Sequence, residues 1–180
     1  MPHAPAIVAA LLLLAAIAAV WDLRTRRIPN WLVLAGLIAG FTLNGILDGL
    51  EGLETAGLGM LVGFGIYLVL HLLHAMGAGD VKLMAAVGSL VGWHEWFRIF
   101  IVAVIIGAIA GVILALSKGR LMRTFNNVAY IIYEIAHARP PHLKREDLDV
   151  KSEKALRLPH GAAIAAGIFI VIGWEYWTRK

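Results

Sequence analysis

Two aspartates, Asp22 and Asp80, are the residues of this sequence best placed to do chemistry. The chain has 180 residues, of which 60% are hydrophobic and 16% charged, and its mean hydropathy is +0.78. A soluble domain is usually nearer half apolar with about a quarter of its residues charged, so the composition is that of a membrane protein. Glu134, Glu146, Asp147, Asp149 and Glu153 fall in one long polar stretch, and Asp48, Glu51, Glu54, Glu95 and Glu175 flank the opposite ends of the apolar runs. Asp22 and Asp80 are left at the borders of apolar sequence, 58 positions apart. An acid at membrane depth is a functional residue by default, with a partner to be found.

Two carboxylates held together cannot both ionise cheaply, so they share a proton and titrate in two separated steps. One can then act as general base on a water while the other, protonated, polarises a carbonyl, which is aspartic-protease chemistry. Structural roles compete with this at the level of the residues. Asp22 could cap a helix end or pair with Arg24, and Asp80 could pair with Lys82 or cap the helix that follows it. Other chemistries find less support. With no cysteine there is no disulfide, thiolate zinc site or cysteine nucleophile. His71 and His74 lack a third ligand, the segment HEWFR at 94–98 lacks the second histidine of a zinc protease, and Ser89 in GSLVG is not a nucleophile elbow. No metal site is read from these residues. A net charge of +4 in such a chain reads as loop orientation rather than a nucleic-acid surface, and lipid is the expected surround. A proton-coupled carrier, or a non-catalytic membrane subunit of an assembly machine, could use the same buried acids.

The elements that must position these acids are helices. Apolar runs near 20 residues can span a bilayer, and six are read, at about 4–21, 31–47, 55–76, 80–93, 96–117 and 160–177. The expected fold is an all-α bundle of six transmembrane helices forming one domain over residues 1–180. The first run has no basic leader and is followed by arginines, so it reads as a retained span rather than a cleaved signal. Connections one, three and five, the last spanning 118–158, hold thirteen of the sixteen lysines and arginines. The positive-inside rule makes these cytoplasmic and both termini external, and puts Asp22 and Asp80 on the same, cytoplasmic side. Trp21, Trp31, Trp93, Trp174 and Trp177 fall at span ends, where indole rings favour the interface. Glycine pairs at 36/40, 59/63 and 107/111 are expected to pack helices within the bundle. Residues 120–137 carry helical periodicity and are expected to form a cytoplasmic amphipathic helix between spans five and six, followed by a solvated connection.

Depth bears on Asp80. Fourteen residues run from Asp80 to Trp93, about 21 Å of helix against a hydrocarbon core of about 30 Å. If Trp93 marks the outer interface, Asp80 begins inside the inner one. Gly77 and Gly79 then form irregular backbone at membrane depth, tolerated only where protein or a water-filled cavity covers it.

Three segments together resemble the type IV prepilin peptidases, membrane aspartic proteases of the Gly-x-Gly-Asp type. DLRTRRIPN at 22–30 resembles the first aspartate motif with its trailing Ile-Pro-Asn, including Pro29 and Asn30. GAGDVKLMAAVG at 77–88 resembles the second, including Gly77, Gly79 and Lys82. LPHGAAIAAG at 158–167, with Pro159 and Gly161, resembles the entry to the last span. The resemblance implies cleavage of the short basic leader of a prepilin or pseudopilin at the cytoplasmic face of a prokaryotic inner membrane, with Asp22 and Asp80 as the catalytic pair and no cofactor. Larger members carry an additional N-terminal cytoplasmic region, often with paired cysteines, and methylate the new N-terminus. Here few residues precede span one and there is no cysteine, so methylation is not expected, and the size resembles the peptidases of Tad/Flp-type pili.

Overall fold

In a computed structural model, residues 4–73, 76–119, 122, 126, 129–130 and 160–178 are described. Among them the chain is all-helical, with four helices: α1 Pro5–Thr25, α2 Asn30–Leu72, α3 Ala78–Ser117 and α4 His160–Thr178. All four are long and apolar enough to cross a membrane. The proposed amphipathic helix at 120–137, the connection after it and Pro159 lie outside the described residues, apart from the isolated positions above.

The expectation of six separate helices is corrected to four. α2 takes in the runs 31–47 and 55–76 with the acidic connection between them, and α3 takes in 80–93 and 96–117. Each intended turn shrinks to a single non-helical residue with helix on both sides of it, so each long helix folds at one glycine. Gly49 lies at φ 61°, ψ −132° and Gly92 at φ 74°, ψ 171°, both regions open in practice to glycine alone.

The fold at Gly49 brings both arms of α2 against one stretch of α3. A Cβ at Gly36 would meet Ala86 at 3.1 Å, and one at Gly40 would overlap Ser89. On the far side of Gly49, Gly59 would overlap Gly88, and Gly63 would overlap the Met84 carbonyl. In a straight helix Gly40 and Gly59 would stand about 28 Å apart at 1.5 Å per residue, so α2 doubles back. Gly92 does the same for α3, since Trp96 Nε1 donates to the Met84 carbonyl at 3.0 Å across twelve positions. The glycine pairs at 36/40 and 59/63 therefore pack inside the chain. Lipid offers no hydrophobic drive for helix association, so close backbone approach and its dispersion contacts carry the packing.

The leading arm of α3 is the central post of the bundle. From Asp80 to Gly92 every residue except Lys82 is buried, which is the pattern of a helix apolar on all sides. Leu11, Leu14 and Ala18 of α1 and Ile164 and Ile168 of α4 complete the core around it. Its C-terminal carbonyls lose their partners at the Gly92 fold. Asn44 of α2 supplies them, its amide donating to Ser89 O at 3.0 Å and Leu90 O at 3.2 Å.

Candidate active site

Four helix ends gather at one end of this bundle: the last turn of α1 and the first turns of α2, α3 and α4. They carry the three segments singled out in the sequence, the end of α1 and the start of α2 sharing the first. Asp22 sits in the last turn of α1 and is 7% exposed, and Asp80 in the first turn of α3 is 9% exposed. The two carboxyl groups lie within electrostatic reach of each other.

Asp22 occupies an unfavourable place on its own helix, because the C-terminal end carries the partial negative charge of the helix dipole. The first turn of α4 offsets this. The Ala162 N–H donates to Asp22 Oδ2 at 3.2 Å, and the Gly161 amide also faces the carboxylate. These are orphan donors of a helix N-terminus, a natural seat for an anion. Gly161 is small because it must be: a Cβ there would lie 3.0 Å from Asp22 Oδ2 and 3.1 Å from its Cγ. The chain leaves α1 through Arg26, in the left-handed region at φ 53°, whose N–H donates to the Asp22 carbonyl at 2.8 Å.

Asp80 is the third residue of α3, with Gly77 as N-cap. Its Oδ2 accepts the Gly77 N–H at 3.3 Å, the reach-back half of a capping box. Its carboxyl thus caps the helix from inside rather than from the N-cap position. Gly79 packs on Ile28 of the first segment, where a Cβ would stand at 3.4 Å. Pro29 is the N-cap of α2, and Asn30 opens that helix. Lys82 donates to Asn30 Oδ1 at 3.1 Å. The lysine ties the second motif to the first at the exposed rim, and among the described residues it forms no ion pair with Asp80. Nor is an Asp22–Arg24 ion pair found there.

Several residues of the site neighbourhood carry no motif. Tyr67, on the return arm of α2, is 0% exposed, and its hydroxyl lies within electrostatic reach of Asp80. Its ring meets Trp96, Phe100 and His160 with centroids 6.2, 5.9 and 6.2 Å away. His160 opens α4, one residue before the glycine packed on Asp22. In sequence Tyr67 reads as an ordinary aromatic of an apolar run, and His160, though inside the LPHGAAIAAG segment, is not singled out there. His71 Nδ1 pairs with the Met76 carbonyl at 2.8 Å, holding the connection that leads into Gly77, whereas His74 lies outside the described residues.

The sequence that carries both aspartates matches known proteins. A sequence model of the type IV leader peptidase family matches residues 9–112, from α1 through both aspartates into the return arm of α3. A prepilin leader peptidase/N-methyltransferase of Burkholderia pseudomallei (strain 1026b) is 31% identical over 120 residues, 63% of this chain and 37% of that protein. The protein of the same name from Escherichia coli (strain K12) is 33% identical over 110 residues, 57% of this chain and 48% of its own length. That from Aeromonas hydrophila is 33% identical over 104 residues, 54% and 36% respectively. The alignments thus span less than half of each of these relatives. No solved structure matches the chain. With well over half of its length matched, and with both acids inside the matched stretch, the chain belongs to the type IV leader peptidase family.

Proposed function

We propose that this chain is a membrane-embedded aspartic endopeptidase that removes the short leader of type IV prepilin-like substrates, of the Flp type, at the cytoplasmic membrane face. One observation carries the reading: two buried acids from distant parts of the chain, Asp22 and Asp80, end within electrostatic reach of each other at one end of the bundle. Family membership supports the substrate class, since the named relatives are prepilin leader peptidases. Of the two activities in those names, the peptidase is the one assigned here. The chemistry needs a water between the carboxyl groups. The ionised carboxylate takes a proton from this water, whose oxygen attacks the scissile carbonyl carbon. The protonated carboxyl meanwhile donates a hydrogen bond to the carbonyl oxygen. Collapse of the tetrahedral intermediate expels the leaving amine, which takes up a proton from the dyad.

In the proposed topology the folds at Gly49 and Gly92 face the outside. Each long helix then crosses the membrane twice, giving six crossings with both termini external. The test is leader cleavage of a Flp-type prepilin by purified protein in detergent, comparing wild type with Asp22→Asn and Asp80→Asn. Each single variant is expected to lose about 10²–10⁴-fold in rate while remaining monodisperse and folded. Cleavage at wild-type rate in either variant would overturn the mechanism. Mass spectrometry of the product, with a methyl donor present, reads methylation in the same reaction, and an unmethylated N-terminus is expected.

A further inference from the structure

Two buried polar atoms behind the dyad have no hydrogen-bond partner among the described residues: the Tyr67 hydroxyl and His160 Nε2. Buried tyrosine hydroxyls and imidazole nitrogens are ordinarily paired, and leaving one unpaired is costly. Two such atoms on neighbouring rings, tilted at 44° with 6.2 Å between centroids, therefore call for a common explanation. Their positions supply one. Tyr67 lies within electrostatic reach of Asp80. His160 immediately precedes Gly161 and Ala162, the turn that holds Asp22. The pair thus lies across the two halves of the site. A hydroxyl can donate and accept, and a neutral imidazole nitrogen does one or the other. One water hydrogen-bonded to both atoms would satisfy them, as buried waters commonly do for otherwise unpaired polar groups.

We propose that Tyr67 and His160 are positioning residues of the aspartate pair, joined through one buried water that fixes the Asp80 side of the site relative to the α4 turn that seats Asp22. The proposal rests on the dyad reading above. It differs from simple aromatic packing in a measurable way. Tyr67→Phe deletes one hydroxyl and keeps the ring among Trp96, Phe100 and His160, so packing alone predicts no change in rate. Positioning predicts a fall in kcat of about 10- to 100-fold, the scale of a misplaced reacting group, with KM within about twofold and the unfolding midpoint unchanged or raised.

The experiment is steady-state leader cleavage in detergent by full-length Tyr67→Phe, His160→Phe, His160→Gln and the double variant Tyr67→Phe/His160→Phe, beside Asp80→Asn. Both single phenylalanine variants are expected to lose kcat. The double variant should be no worse than either single within about twofold, because one shared water is lost once. His160→Gln, which restores a polar atom, should regain part of the rate. Wild-type kcat in Tyr67→Phe overturns the proposal while leaving the dyad intact, and so does a multiplicative loss in the double variant. Cleavage retained in Asp80→Asn removes the dyad reading and this proposal with it. Should His160→Phe fail to fold, the comparison of Tyr67→Phe with His160→Gln still decides: positioning requires a kcat loss in the first and a smaller one in the second.

Discussion

At the scale of single residues, the site depends on what is missing at position 161 as much as on the carboxylates. Asp22 is seated by two backbone amides, and these approach only because Gly161 has no Cβ. A methyl there would stand about 3 Å from three atoms of the aspartate, tighter than comfortable van der Waals contact, so the carboxylate or the α4 turn must shift. Gly161→Ala is therefore expected to lower kcat about tenfold or more through misplacement, with a stability change of about 1 kcal/mol. Gly161→Val should be worse in both. Kinetics and thermal unfolding of the two variants check this, and full activity in Gly161→Val would show that Asp22 need not sit where it does. The acids themselves were legible in the sequence because a carboxylate beside apolar sequence is rare and needs a reason. Tyr67 and His160 were not, because a buried aromatic in an apolar helix is the ordinary case, and only an unpaired polar atom in three dimensions marks it out. Lys82 shows the intermediate case. Its motif position was visible, but its partner, Asn30, lies 52 positions away.

At the scale of elements, the leading arm of α3 ends at a buried residue, Gly92, and its ending has to be satisfied. The fold at Gly92 strips its last carbonyls of helical partners, and the Asn44 amide takes two of them. Asn44→Leu keeps the approximate volume and removes the donors, leaving Ser89 O and Leu90 O short of a partner in an apolar surround. The expected loss is about 1–2 kcal/mol, toward the upper end for polar contacts in membrane bundles. Reversible unfolding in mixed detergent measures it, and an unchanged midpoint would mean the carbonyls find another donor. Because this arm carries Asp80 at its other end, the same variant should also reduce kcat, by less than the dyad variants do. The apolar runs located the arms of α2 and α3 in sequence, but not their continuity. Acidic residues at 48–54 looked like a loop, yet glutamate is a good helix former, and one glycine suffices to turn the chain. Asn44 was invisible for a related reason. Its partners are carbonyls exposed only by the fold at Gly92, 48 positions later.

At the scale of the whole molecule, four helical elements place ends so that one side of the bundle holds both candidate acids. Asp22, Asn30, Asp80 and Gly161 lie in terminal turns that meet there, while the folds at Gly49 and Gly92 lie inside α2 and α3, at the far ends of the arms that start from those turns. The proposed topology then makes a sharp statement about sidedness. Leu50, 84% exposed and next to the Gly49 fold, should face the outside, and Lys118, at the end of α3, should face the cytoplasm. The chain has no cysteine, so Leu50→Cys and Lys118→Cys each offer a membrane-impermeant maleimide a single target. In intact cells, labelling is expected at position 50 and not at 118, and both should label after permeabilisation. The reverse pattern would put the dyad on the outer face, away from a leader that precedes export, and would overturn the cytoplasmic assignment. Protection of position 50 under both conditions would place the Gly49 fold within the bilayer rather than beyond it, and the count of six crossings would fall. The expected pattern rests on charge: in the sequence reading thirteen of sixteen basic residues fall on connections one, three and five, and such an excess holds connections inside during insertion.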